Sequence, residues 1–247
     1  MGLLRCFAPA LVWFALGAAE VRAADVAAII RDADQARSGA ESGMSWQVTL
    51  ATHDGSDVTT TEYAVKTTAT DVLVETVAPV RNKGEVMIFN DNVLWFFRPG
   101  LRKPVSISSR QRLSGPASNG DIANTHYARD YDATIAGEDA VNGQPCYRLD
   151  LKAKVKSTTY DRITYWVAKQ DHLALKAEFL TLEGEPLKTA EFVYGEPIVV
   201  KGGKSPFIRT MVIVDAKNKT QKSVLTYASP KAEEHAASIF NVNNLAR

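Results

Sequence analysis

The sequence predicts a mainly β protein built around one large antiparallel sheet. Three observations carry that prediction. After Gly43 apolar residues recur at every second position, the period of a half-buried strand. Asn142-Gly143 is a hairpin turn, because both residues tolerate positive φ. No helix-period segment separates the strands, which argues against alternating βαβ units.

The one helical pattern comes first. From Asp25 to Arg37, Val26, Ile29, Ile30, Ala33 and Arg37 fall at i, i+3, i+4, i+7 and i+11, and the first four form an apolar stripe. Asp25 stands where the helix dipole favours a carboxylate, and Ser38-Gly39 ends the pattern. Trp46, Val48 and Leu50 then open the strands. Val58–Thr68, Val72–Ala78, Glu85–Phe89 and Val93–Phe97 follow, the last two flanking the turn Asn90-Asp91-Asn92. A second run comprises Asp132–Glu138, Cys146–Val155, Arg162–Ala168, Leu173–Leu180, Leu187–Tyr194, Ile208–Asp215 and Ser223–Tyr227. The total is about eleven or twelve strands in one domain, without internal repeats or a linker. Between the two runs, from Arg98 to Arg129, the pattern lapses into a Pro- and Gly-containing segment, unusually long for a connection inside a compact domain.

Composition sets the class. The chain has 247 residues, 45% hydrophobic and 23% charged, with 29 Lys+Arg against 28 Asp+Glu. These values leave little room for a disordered tail protein or a disulfide scaffold, and a net charge of +1 gives no pull toward nucleic acid. Residues 1–23 read as a secretory signal peptide: Arg5 is the positive start, Phe7–Ala18 the apolar stretch, and Val21-Arg22-Ala23 the cleavage site. About a dozen apolar residues cannot span a bilayer of ~30 Å. Cys6 precedes the apolar stretch, so it is not a lipidation site. Cleavage after Ala23 leaves 224 residues with 27 basic and 27 acidic side chains, since Arg5, Glu20 and Arg22 depart. Cys146 becomes the only thiol, which rules out an internal disulfide. We therefore expect a soluble periplasmic protein, residues 24–247 forming its one domain.

The search for reactive chemistry returns nothing positive. His53, His126, His172 and His235 show no metal-ligand spacing and read as surface histidines. Ser118 lies between glycines in Gly115–Gly120 but lacks the strand–turn–helix context of a nucleophile elbow. Lys201-Gly202-Gly203-Lys204-Ser205 ends like a phosphate loop, yet Ile198 stands where the first Gly belongs and no helix follows, so it reads as a hairpin turn. Cys146, inside a strand, reads as a small buried hydrophobe. We expect no catalytic residues, no metal, no cofactor and no enzymatic activity.

Two features remain to be placed. Bulky apolar residues at alternating positions either pack as a core or line the concave face of an open, curved sheet, with the N-terminal helix and the mid-chain segment as covers. The mid-chain segment carries Arg98, Arg102, Lys103, Arg110, Arg112 and Arg129 against Asp121 alone, so the rest of the mature chain is net acidic. Those cations are either solvated or form a contact for anionic lipid headgroups or a partner protein.

The block Leu94-Trp95-Phe96-Phe97-Arg98-Pro99-Gly100-Leu101-Arg102-Lys103-Pro104, then Ser109–Leu113 and Ala117–Ala123, closely resembles the bacterial outer-membrane lipoprotein-sorting protein family, the LolA-like proteins. Tyr127, Tyr131, Gly137-Glu138, Asn142-Gly143, Tyr160-Asp161-Arg162, Tyr165-Trp166-Val167, Lys176–Phe179, Leu187–Ala190 and Phe240–Leu245 continue the match over nearly the whole mature chain. The resemblance implies an incomplete antiparallel β-barrel of about eleven strands, with helices forming a lid over an apolar cavity. It also implies a carrier that holds lipoprotein acyl chains, loaded by an inner-membrane transporter and unloaded at an outer-membrane receptor.

We accordingly expect a monomeric periplasmic carrier for acyl chains of lipoproteins or lipids. Trp46, Met87, Phe89, Trp95, Phe97, Leu149 and Tyr165 are the expected cavity lining, and Arg98, Arg102, Lys103, Arg110 and Arg112 the expected lid, partner or headgroup contacts. A periplasmic sensor or accessory of an inner-membrane exporter, using the same fold, is a second reading. A lipid-acting enzyme, which would need a carboxylate or His cluster inside the cavity, is a third.

Overall fold

The computed structural model describes residues 25–39, 43–90, 92–123, 126–200 and 203–245. The expected signal peptide, Asp91 of the Asn90–Asn92 turn and Lys201-Gly202 lie outside the described residues.

Helix α1 runs Val26–Ser38. Asp25 caps it, its carboxylate accepting from the backbone N–H groups of Ala27 and Ala28 at 3.0 and 3.2 Å, which satisfies donors that have no partner inside the helix. Gly39 stops it in the left-handed conformation at φ 62°, its N–H donating to the Gln35 carbonyl.

The strands are β1 Met44–Asp54, β2 Asp57–Thr67, β3 Val72–Ala78, β4 Val86–Asn90, β5 Val93–Phe97, β6 Val105–Ile107, β7 Arg112–Ser114, β8 Ala117–Ser118, β9 Tyr131–Val141, β10 Gln144–Ala153, β11 Arg162–Ala168, β12 Ala174–Leu180, β13 Pro186–Tyr194, β14 Ile198–Val200, β15 Gly203–Ser205, β16 Ile208–Asp215 and β17 Gln221–Ala232. Thirteen form one antiparallel sheet, in the order β6-β5-β4-β3-β2-β1-β17-β16-β13-β12-β11-β10-β9. The sheet is not closed into a barrel: β6 and β9 are its two edges. The β9–β10 hairpin turns on Asn142 and Gly143, at φ 50° and 79°, as the sequence requires.

One expectation changes. The Arg98–Arg129 segment is not irregular throughout: it holds β6, the small β7–β8 hairpin, helix α2 (Asn119–Ala123) and most of helix α3 (Tyr127–Asp130). Each element is five residues or fewer, too short to show a period. The edge strand β6 is what raises the sheet above the strands legible from alternation.

The two faces of the sheet are unlike. The concave face carries one contiguous apolar cluster, from Phe89 and Leu94 near one edge through Trp46, Val65 and Leu225 to Tyr165, Leu149 and Leu151 near the other. A row running straight across it, Leu149–Tyr165–Ala177–Ala190–Ile213, is fully buried. The opposite face has only local cover. Cys146, Trp166 and Ala168 form a small cluster there, with Cys146 free and buried as expected. Ile88 is fully buried on that face, where the C-terminal 3₁₀ turn Ala237–Phe240 packs over β3 and β4. Phe240 itself is 1% exposed. Truncating Phe240 to Ala should cost about 3–5 kcal/mol, read as a lowered urea midpoint with unchanged far-UV circular dichroism.

Candidate functional site

Only two-stranded hairpins and short helices lie against the concave face, so short elements of the chain cover it. Two covers are built differently.

The first consists of α1 and α3. The apolar stripe of α1 buries Ile29, Ile30 and Ala33 against the sheet. Arg37 is on the same side, 3% exposed, and its guanidinium enters the aromatic interior. It donates to the Tyr165 hydroxyl at 3.4 Å and lies 4.7 and 4.8 Å from the ring centroids of Tyr127 and Phe192, close enough for cation–π attraction. Asp34, one turn earlier and 2% exposed, accepts from the backbone N–H of Ala128 at 2.8 Å, tying α1 to α3. Burial pushes the Asp34 carboxyl up from 3.8 to about 7, even though Ala128 and Arg37 pull the other way. The cover is incompletely satisfied: Asp34 Oδ1, Arg37 Nε and His126 Nε2 are buried without a hydrogen-bond partner among the described residues. Such groups cost about 1–3 kcal/mol each.

The second cover is the β7–β8–α2 stretch, anchored by a buried ion pair, with Thr159 Oγ1 beside Gly120 as a buried hydroxyl without a partner among the described residues. Lys188, inward on β13 and 5% exposed, donates to Pro116 O, Ser118 Oγ and Asp121 Oδ2 at 2.6, 2.9 and 2.9 Å. All three ammonium protons are used. Asp121 also accepts from Ser118 N at 2.7 Å and from the Tyr160 hydroxyl at 2.6 Å. Tyr160 in turn stacks on Phe179, with ring centroids 4.0 Å apart. Gly120 presses so closely on Thr159 that a Cβ there would collide with the threonine side chain. At the surface, Arg110 grips Asp161 through two hydrogen bonds of 2.9 and 2.7 Å and reaches the Thr158 carbonyl at 2.9 Å. A second hydroxyl pair, Thr52–Ser114 at 2.8 Å, holds the hairpin down on β1.

Between this second cover and β2–β5 lies a half-open cavity of about 190 Å³. Tyr63, Met87, Phe96, Ile107 and Leu113 supply apolar walls; Glu85, Gln111 and Arg112 are among its polar parts. Among the described residues, no group of three His, Cys, Asp or Glu side chains is placed to hold a metal ion, and no helix is long and apolar enough to cross a membrane.

This open antiparallel sheet with its short covering elements superposes on known structures. A LolA superfamily protein from Nitrosomonas europaea superposes with a TM-score of 0.78 at 26% identity, covering 88% of this chain and 97% of that one. A putative outer membrane lipoprotein-sorting protein domain from Vibrio parahaemolyticus follows at TM-score 0.74 and 18% identity, covering 90% and 98%. A DUF1329 family protein from Desulfovibrio piger gives 0.73 at 20%, covering 89% and 97%. A family model described as an uncharacterized protein matches residues 68–247. By its fold the chain is LolA-like. No curated protein matches it.

The LolA-like scaffold sorts the expected lining residues into two groups. Trp46, Met87, Phe89, Leu149 and Tyr165 are buried in the concave cluster, and Met87 reaches the cavity. Trp95 and Phe97 are on the other face: Trp95 pairs with Ile88 and Phe97 with Val86, so both alternate away from Met87 and Phe89. Leu94 and Phe96 take the inward positions in their place. Leu94–Phe97 is apolar throughout, so alternation alone could not fix its face.

The five expected cations also separate. Arg110 is committed to Asp161, Arg112 stands at the cavity, and Arg98, Arg102 and Lys103 are exposed beyond β5. The histidines are not uniformly at the surface. His126 is 6% exposed, its imidazole pushed down to about 4 by burial and by the nearby Arg129. The His235 ring is buried against the Met44 carbonyl at 3.0 Å.

Sequence reasoning missed Arg37, Asp34, Lys188 and Asp121 as the groups that hold the covers. A trace of three of them was present. Arg37 continues the α1 stripe at i+11. Lys188 alternates in phase with Ala190, Phe192 and Tyr194. Asp121 is the lone carboxylate of the basic segment.

Two predictions follow from these covers. Lys188→Met strands a buried carboxylate and should cost about 3–5 kcal/mol in urea denaturation; adding Asp121→Leu should recover part of that loss. Asp34 holds its proton in the folded state up to about pH 7, whereas the unfolded chain releases it near 3.8. This group therefore makes stability fall as pH rises through that window. His126, depressed to about 4 when folded, makes stability rise with pH between about 4 and its unfolded value of 6.5. Asp34→Asn should remove the first slope and leave the second, giving a urea midpoint that climbs from pH 4 to 6.5. An unchanged profile would contradict the buried-acid assignment.

Proposed function

We propose that the protein is a periplasmic carrier that holds acyl chains of a lipoprotein or lipid against the concave face and passes them toward the outer membrane, catalysing no reaction. Residues 1–23 are its export signal and 24–247 the carrier domain. The observation that carries this reading is the construction of the concave face: a continuous apolar surface, roofed by short separate elements through polar contacts and already open at one cavity.

The physical account is direct. Each CH₂ transferred from water gains ~0.8 kcal/mol. The cavity of about 190 Å³ is smaller than the roughly 300–1,000 Å³ typical of ligand pockets. Loading a full chain thus requires a cover to swing away, with Met87, Phe89, Trp46, Leu149 and Tyr165 the surface it would expose. The α1–α3 cover is the cheaper one to move, because opening would hydrate its unpartnered buried atoms. A membrane transporter or receptor that favours the open state would then control loading and release.

The test is purification from periplasm followed by mass spectrometry of bound lipids and lipoproteins. The expected result is co-purifying acylated species, and a lipid-stripped protein that takes up an acylated peptide. Met87→Trp, which fills the cavity, should weaken that uptake roughly tenfold, about 1.4 kcal/mol, while Phe97→Ala on the opposite face leaves it unchanged. Lipid-free protein that also refuses the acylated peptide would overturn the carrier reading.

A further inference from the structure

One corner of the sheet carries an arrangement that the carrier reading does not use. The β3–β4 connection forms a 3₁₀ turn, Val80–Asn82, and Val80 at its apex is 87% exposed, the most exposed large hydrophobic residue among those described. The turn is rigidly made. Asn82 N donates to Pro79 O at 2.9 Å, Lys83 N to Val80 O at 3.2 Å, Gly84 N to Thr76 O at 3.0 Å, and the Asn82 amide to Glu85 at 3.1 Å. The β5–β6 loop packs beside it, a Cβ on Gly84 coming within 3.3 Å of the Pro99 ring.

The two loops bring together Arg81 and Lys83 from one and Arg98, Arg102 and Lys103 from the other, all exposed. None of the five is ion-paired with a carboxylate among the described residues. Thr76 and Glu85, which flank the tip in sequence, also line the half-open cavity, so tip and cavity mouth are neighbours.

We propose that this tip docks the protein on an anionic phospholipid surface, Val80 entering the headgroup boundary while the five cations engage lipid phosphates. The chemistry selects a bilayer. Val80 with the partly exposed Val77 forms no broad apolar patch, whereas a stable protein interface buries ~800 Å² per partner. A point of apolar insertion on a turn whose two adjoining loops carry cations not ion-paired with a carboxylate suits a fluid anionic surface, where each Lys or Arg near the surface contributes additively. Docking in this pose would set the cavity mouth at the membrane. The proposal extends the carrier reading and does not depend on its cargo.

The test is co-sedimentation of the cargo-free full-length mature protein with vesicles of phosphatidylglycerol and phosphatidylcholine, against phosphatidylcholine alone. Binding should require phosphatidylglycerol and weaken as salt shortens the Debye length. Combined Arg98→Ala, Arg102→Ala and Lys103→Ala should weaken it on the order of a hundredfold, about fivefold per cation. Val80→Asp should weaken it on the order of tenfold. Val199→Asp, an equally apolar residue 74% exposed on the β14–β15 hairpin, should change nothing. All these residues are exposed, and an unchanged urea midpoint checks that each variant folds. Met87→Trp should sediment like the parent, which separates surface docking from uptake of lipid into the cavity. Equal binding to neutral vesicles, indifference to the tip variants, or stronger retention by soluble polyglutamate than by vesicles would overturn the proposal, the last in favour of an acidic protein partner.

Discussion

A thirteen-stranded sheet with one apolar concave face and only two-stranded hairpins and short helices against it sets the terms for everything else in this molecule. Burying that face is the main source of stability, and only small elements do it: α1, the short elements between β6 and β9, and the β14–β15 hairpin with Phe207. Small elements bring little apolar area of their own. They are therefore held by specific polar contacts reaching through the cover to the sheet: Lys188 to Asp121, Arg37 to Tyr165, Asp34 to the backbone at Ala128.

The two covers use opposite electrostatic solutions. Around Lys188 every donor proton has an acceptor, and Asp121 is shared by an ammonium, a tyrosine hydroxyl and a backbone amide. A buried pair satisfied in this way is costly to break from either side. At α1 the Arg37 charge rests on aromatic faces and one hydroxyl, and Asp34 is pushed toward its neutral form. Fully paired buried networks rigidify, while partly satisfied ones gain on opening to water. The same concave face thus has one roof anchored by a buried ion-pair network and one with several buried polar atoms unpartnered among the described residues, an asymmetry that simple apolar packing would not produce.

Much of this was legible in the sequence, for identifiable reasons. For strands β3, β11 and β16, bounded by turn residues, the residues read as strands coincide with the observed bounds. The limits of α1 were fixed by Asp25 and Gly39, whose capping chemistry is local. What escaped was non-local or non-periodic. Lys188 and Asp121 are 67 residues apart, and nothing in either neighbourhood announces the pairing. The apolar run Leu94–Phe97 has no polar residue to break the tie between faces, so Trp95 and Phe97 could be placed only once the β4–β5 register was known. The elements of the mid-chain segment are five residues or fewer, too short for a periodic pattern to repeat within them.

Charge shows the same limit most clearly. Read linearly, Arg98 to Arg129 is one basic stretch, and a single electrostatic role suggests itself. Folding divides it. Arg110 and Arg129 are consumed by carboxylates at Asp161 and Asp130, and Arg112 stands at the cavity. Arg98, Arg102 and Lys103 instead join Arg81 and Lys83, which belong to a connection that precedes β4 and looks unremarkable in the chain. The functional unit of charge here is a corner of the sheet where two loops meet. Its sign follows from where the acidic residues went as much as from where the basic ones are.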